Sequence, residues 1–270
     1  ENKPSLAAWL AVKDNPYICG QFLWTGIDYL GEARAWPARS SPDGFLDLAA
    51  FPKPAFYFRK SLWNPAPMVK IIPDARGTLT CYTNCDTVAF SQNGKPLGTE
   101  SLPQSRTLRV PGDPANGPIT AVATQNGKSV ATDTFTTSGP PTQIVLHQYK
   151  TALGPGDGPN VAQIELTLRD AHGTPSRDAD NDITVSIQNW NKWNTAASRD
   201  NEITVAHSFN RAINGKLLGI ESGDNRSHEN YQAPHHKAFH GRLLLYIETH
   251  GPITVTAATP GLPPATLDLP

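Results

Sequence analysis

The chain is poor in charge. Only 17% of its 270 residues are Asp, Glu, Lys or Arg, and the formal net charge is −1. No long-range field therefore draws it to nucleic acid or to an anionic membrane surface. It also lacks any apolar run near the ~18–20 residues that cross a bilayer. Cysteine is scarce, at three residues. Cys81 and Cys85 look like a spaced pair, but four residues of extended chain put their Cα atoms ~13 Å apart, against ~7 Å for a disulfide. Only a turn between them would allow a bridge. A zinc site would need more Cys or His at ligand spacing, so three buried thiols are the plain expectation. No glycine-rich phosphate loop, Ser/His/Asp arrangement or basic aromatic stripe stands out.

What the chain does have is proline and glycine, 25 and 21 residues. That suits many short strands joined by turns. The length suits roughly two domains. Pro4 to Asp14 reads as a helix, with Ser5 near its start and Leu6, Trp9, Leu10 and Val12 at roughly helical spacing; Asn15-Pro16 ends it. Tyr17 to Trp24 is a nearly continuous apolar run, the pattern of a strand buried on both faces of a parallel sheet. An irregular stretch, Gly31 to Pro54, follows. Lys53 to Trp63 is a second helix with Pro54 in its first turn.

After the linker Asn64-Pro65-Ala66-Pro67 the period changes to two. Strands are expected at Val69–Ile72, Gly77–Thr83, Thr87–Gln92, Ser105–Val110, Ile119–Thr124 and Ser129–Thr136. Asn93-Gly94 and Asn126-Gly127 mark type I′ hairpins. Ser138-Gly139-Pro140-Pro141 is a boundary. Beyond it lie Gln143–Leu146, Val161–Arg169, Ile183–Gln188, Glu202–Ala206, Gly241–Glu248, Ile253–Ala258 and Ala265–Leu269. Strands at this spacing predict antiparallel sandwiches of immunoglobulin type.

Three stretches carry a resemblance. Gln21-Phe-Leu-Trp-Thr-Gly-Ile-Asp-Tyr-Leu-Gly-Glu32, with Trp36-Pro37 and Asp47-Leu-Ala-Ala-Phe-Pro-Lys53, resembles the last barrel strand and following loop of glycoside hydrolase family 2, the β-galactosidase group. Tyr82-Thr-Asn-Cys-Asp-Thr-Val-Ala-Phe-Ser-Gln-Asn-Gly-Lys-Pro-Leu-Gly98 resembles a sandwich that follows the barrel. Gly215-Lys-Leu-Leu-Gly-Ile-Glu-Ser-Gly-Asp224 and Glu229-Asn-Tyr231 resemble the terminal sandwich. Their order is the expected one. The resemblance implies a mostly β fold: residues 1–66 as the final helix-strand-helix part of a (β/α)8 barrel, then immunoglobulin-like antiparallel β-sandwiches over 67–139 and 140–270.

It also implies the C-terminal part of a retaining β-glycosidase, a β-galactosidase acting on terminal nonreducing β-D-galactosyl residues. Such enzymes place two carboxyl groups ~5–5.5 Å apart. The motifs that carry the family's two glutamates are not found here. Before the last domain the only glutamates are Glu1, Glu32 and Glu100. No catalytic residue is therefore assigned, and the expected partners are an upstream catalytic portion, on the same or a separate chain, and a carbohydrate. No nucleic acid, membrane, cofactor or metal is expected. The other reading is a non-catalytic module that binds carbohydrate or holds another domain.

Trp24, Asp28 and Trp36 are the candidate substrate-binding residues. Trp24 matches a family tryptophan that lines the sugar pocket; the C–H face of a pyranose packs on indole, while the indole N–H can serve a hydroxyl. Its alternative is an ordinary barrel-core tryptophan. Asp28 either bonds a sugar hydroxyl or caps the loop. Trp36 either walls the site or packs over the barrel rim. Glu32, at the face where barrel sites sit, reads as a loop carboxylate. Trp190 and Trp193 either meet a glycan, contact the barrel or fill a loop. His235 and His236, near His228 and His240, read as a surface loop rather than a metal site.

Overall fold

The computed structural model describes residues 3–73, 77–149, 160–189 and 214–270. The expected strand Glu202–Ala206 and both Trp190 and Trp193 lie outside them. Among the described residues are two α-helices, one short 3-10 helix and seventeen strands, so the molecule is mostly β. Close contacts divide it into two compact units, residues 1–137 and 138–270.

In the first unit, helix α1 (Lys3–Lys13) half-buries Leu6, Trp9, Leu10 and Val12, as the helical spacing requires. The Asn15 side chain closes its end on the Ala11 carbonyl at 2.8 Å. Helix α2 (Pro54–Trp63) starts with Pro at its first position, and the Asn64 N–H returns to the Lys60 carbonyl. Phe58 of α2 is buried with Met68 and Tyr82, and Leu6 of α1 packs against this cluster. Between the helices β1 (Tyr29–Leu30) and β2 (Ser40–Ser41) pair, and isolated bridges join Ile27 to Leu46 and Leu46 to Pro52.

Tyr17–Trp24 corrects an expectation. It forms no strand, and Tyr17, Phe22 and Trp24 are exposed rather than buried. A parallel strand needs neighbours on both sides for its backbone groups, and among the described residues none pairs with this segment.

Beyond α2 the chain alternates. β3 (Val69–Pro73), β4 (Leu79–Thr83) and β7 (Leu108–Arg109) form one sheet; β5 (Thr87–Gln92), β6 (Lys95–Ser101), β8 (Ile119–Gln125) and β9 (Lys128–Phe135) form the other, in the order 6-5-8-9. Ile71 and Cys81 from the first sheet share one core with Val88, Phe90, Ile119 and Ala121 from the second. Two sheets with a common core are a sandwich. Asn93-Gly94 and Asn126-Gly127 take positive φ at both residues, the requirement of the type I′ turns that join β5 to β6 and β8 to β9. Cys81 and Cys85 are buried and free as expected, whereas the free Cys19 is exposed rather than buried. The expected strand Ser105–Val110 shortens to Leu108–Arg109, and Lys95–Ser101 is an addition.

The second unit repeats the plan. β10 (Gln143–Gln148), β11 (Asn160–Arg169), β13 (Gly215–Glu221) and β15 (Arg242–Thr249) pair in the order 10-11-15-13. They face β12 (Asp182–Asn189), β14 (His235–Lys237), β16 (Ile253–Ala258) and β17 (Ala265–Leu269), in the order 14-12-16-17. Ile164, Leu166 and Leu168 of β11 meet Ile183, Val185, Val255 and Ala257 in one core.

Candidate functional site

The stretch from Trp24 to Lys53 has little regular structure, so polar contacts must fix it. Asp28 is the centre of one cluster. Its side chain is only 5% exposed and lies 2.7 Å from the Lys53 ammonium. The same Oδ1 accepts the Gly44 N–H at 2.8 Å, while Lys53 also donates to the Pro42 carbonyl at 2.8 Å. A buried carboxylate is tolerated when paired and hydrogen-bonded in this way. Position 44 must be glycine, because a Cβ there would collide with the Asp28 amide nitrogen and the Ile27 carbonyl carbon. A short backbone ladder adds to the clamp: Asp28 N–H to Leu46 O at 3.0 Å, and Lys53 N–H to Phe45 O at 3.0 Å. Asp47 Oδ1 accepts the N–H groups of Ala49 and Phe51, both at 2.9 Å.

Trp24 belongs to a second cluster. Its ring is 74% exposed. The indole N–H donates to the Tyr29 hydroxyl at 3.1 Å, and that hydroxyl donates to Glu32 Oε2. The two rings stand edge to face, 5.9 Å apart at 87°. The result is a relay, Glu32 to Tyr29 to Trp24, that sets the direction of the indole. Trp36 lies on the β1–β2 loop and is 82% exposed. The loop is closed by Gly31 N–H to Arg39 O at 3.0 Å and by Arg34 to Asp43 at 2.7 Å. The Trp24–Thr25 and Trp36–Pro37 peptides are both cis.

A third anchor ties the segment to the helices. Arg59 is 5% exposed; it donates to the Gln21 side chain at 3.2 Å and to the Ser5 carbonyl at 3.1 Å. Burial lowers its pKa from the ordinary guanidinium value. Its carbon sits 5.5 Å from the Trp63 ring centre.

The structure thus gathers Trp24 with Tyr29 and Glu32, and Asp28 with Gly44 and Lys53. Sequence reasoning missed Tyr29, Gly44, Lys53 and Arg59 as contributors. Tyr29 and Lys53 stand inside the quoted motifs, but nothing in spacing shows that Lys53 returns to Asp28. The arrangement offers an exposed indole face beside a loop held by buried charge, a surface suited to the C–H face of a sugar.

A family model, glycoside hydrolase family 2 C-terminal domain 5, matches residues 194–268. The β-galactosidase BoGH2A of Bacteroides ovatus is 30% identical over 273 residues, covering 96% of this chain and 29% of that protein. A putative β-glucuronidase of Formosa agariphila is 33% identical over 155 residues, covering 50% of this chain and 15% of that protein. The crystal structure of a β-glycosidase from Bacteroides vulgatus superimposes with a TM-score of 0.80 at 28% identity, covering 98% of this chain and 32% of that one. The chain spans less than a third of the length of these proteins.

Proposed function

We propose that this chain, whose sequence and fold correspond to the C-terminal portion of glycoside hydrolase family 2 enzymes, serves a retaining β-glycosidase that removes terminal nonreducing β-D-galactosyl residues. Residues 1–66 complete a (β/α)8 barrel, and the segments 67–139 and 140–270 are accessory immunoglobulin-like domains. An upstream portion brings the two glutamates. One attacks the anomeric carbon; the other protonates the leaving oxygen and then activates water, so configuration is retained. Trp24 supplies an apolar face to the sugar, with Trp36 walling the site. Asp28 fixes the loop that carries both tryptophans, since its carboxylate already serves Gly44 and Lys53.

The observation that carries this reading is the end-to-end match to a β-galactosidase, 96% of this chain. Two glucuronidase matches, over 50% and 81% of this chain, make the β-glucuronide the rival substrate. Tyr17, Phe22 and Ile27, large apolar side chains that stand exposed here, are the surface we expect an upstream portion to cover.

The test is complementation. The 270-residue chain alone leaves aryl β-galactosides uncleaved, and adding the upstream portion yields turnover with the β-anomer as first product. Turnover by the chain free of that portion overturns the reading. A complete enzyme that cleaves aryl β-glucuronides and not galactosides overturns the sugar and keeps the reaction class.

A further inference from the structure

Side chains from two distant parts of the sequence, Asp182 and the segment 229–235, meet at one edge of the second sandwich. Asp182 opens β12 and His235 opens β14, in a ladder where Asp182 faces Lys237 and Thr184 faces His235. Glu229 comes from the loop that precedes β14. One donor atom from each of Asp182, Glu229 and His235 lies within 4.8 Å of the other two, and His235 Nδ1 is 3.5 Å from Asp182 Oδ1. Donors on a tetrahedral ion with bonds of ~2.0–2.1 Å stand ~3.3–3.5 Å apart, so this pair already has the separation that an ion would impose.

Glu229 is held from behind. Its carboxylate accepts the Ser227 hydroxyl at 3.1 Å and the Lys237 N–H at 3.2 and 3.3 Å. The fully buried His236 also brings Nδ1 to 3.3 Å from it, although that nitrogen pairs with the Lys237 carbonyl oxygen at 2.9 Å. Hydrogen bonds such as those from Ser227 and Lys237 orient metal-ligating carboxylates. One imidazole nitrogen with two carboxylates suits zinc or a neighbouring first-row dication, whereas Ca2+ and Mg2+ favour oxygen alone.

We propose that Asp182, Glu229 and His235 form a zinc site with open positions for water, pinning the three-residue edge strand β14 and the Glu229 loop to β12. The site has a structural use, since so short a strand is marginal by pairing alone.

Calorimetric titration of the chelator-stripped chain with ZnCl2 tests it. One equivalent binds, and the unfolding midpoint rises with zinc. Asp182→Asn and His235→Gln each weaken binding roughly tenfold or more, while Cys19→Ser and His250→Gln leave it unchanged. Asp182 and His235 are half exposed, so the metal-free variants keep the wild-type unfolding midpoint, which separates lost ligation from lost folding. Zinc binding that survives both site variants, binding abolished by Cys19→Ser or His250→Gln, Ca2+ bound as tightly as zinc, or no binding at all overturns the proposal.

Discussion

Residues 17–53 and residues 69–135 are both well supplied with large apolar side chains, yet water divides them. In the later stretch Ile71, Val88, Phe90 and Ile119 sit inside a shared core. In the earlier one Tyr17, Phe22, Trp24 and Trp36 stand in solvent. The later stretch is held by period-two burial; the earlier one is held by a few polar clamps, at Asp28, at Tyr29 and at Arg59. Apolar content alone does not say what a side chain is for. The device that fixes it does.

The comparison breaks most visibly in the sandwich. Phe90 is fully buried among residues of both sheets. Phe90→Ala should cost about 3–5 kcal/mol of stability and leave activity per folded molecule intact in the complete enzyme. Urea unfolding and active-site-normalised kcat/KM measure the two halves of that statement. A fall in kcat/KM with unchanged stability would erase the division drawn here.

The clamp should behave in the opposite way. Lys53→Met leaves Asp28 buried without its cation. Because Lys53 keeps a quarter of its exposure, the local cost should be about 2 kcal/mol, below the ~3–5 of a fully buried pair. Proteolytic nicking within residues 17–53 should rise, and kcat/KM of the complete enzyme should fall, while the sandwiches unfold at the wild-type denaturant concentration. Gly44→Ala should reproduce this pattern through steric collision. Sandwiches that unfold early in either variant would show that the loop and the core are one cooperative structure.

Trp24→Ala sharpens the comparison at one residue. As a sugar platform, Trp24 should contribute ~2–4 kcal/mol to kcat/KM, roughly thirty- to a thousandfold, with little change in unfolding midpoint. As a core residue it would do the reverse. Tyr29→Phe keeps the ring edge and removes the hydroxyl of the relay, so about 1 kcal/mol is expected, roughly fivefold. An unchanged kcat/KM in folded Trp24→Ala would remove Trp24 from the site.

These contrasts also explain what was legible beforehand. Thr87–Gln92, Ile253–Ala258 and Ala265–Leu269 read directly from alternation, because each buries one face. Lys95–Ser101 gives no such signal: all seven residues are exposed and Pro96 and Gly98 interrupt it, as an edge strand allows. Tyr17–Trp24 misleads for the complementary reason. Its pattern reports the surroundings for which it is built, and a strand exists only when neighbours supply its hydrogen bonds. Trp24, Asp28 and Trp36 stand out through the motif. Lys53 and Gly44 were not, because their role depends on a return of the chain that no local period encodes. Asp182 and Glu229 escaped notice beside His235 for the same reason.

The smallest expected effect belongs to a polar cluster that should touch stability alone. On the outer face of the second sandwich Glu165 accepts from Arg242 at 2.6 and 3.0 Å and from the Tyr149 hydroxyl. Burial by itself would raise the Glu165 pKa, but the bonds from Tyr149 and Arg242 and the Arg242 charge outweigh it and leave the pKa lowered. A lowered folded value means that the contribution is present above the unfolded glutamate value of ~4.3 and is lost as pH falls through the folded one. Tyr149 runs the other way. Burial, then its bond to Glu165 and the charge of that carboxylate, raise it to about 12. Its contribution is present below the unfolded tyrosine value of ~10 and is lost as pH rises from there toward the folded value. Glu165→Gln should therefore flatten the acid limb of the urea midpoint against pH, and Tyr149→Phe should flatten the alkaline limb. Both shifts should be modest, because the cluster is partly open to solvent, and neither should change kcat/KM at neutral pH in the complete enzyme. An activity loss in Tyr149→Phe would mean that the polar contacts of the sandwich do more than hold it together, and the contrast with residues 17–53 would have to be redrawn.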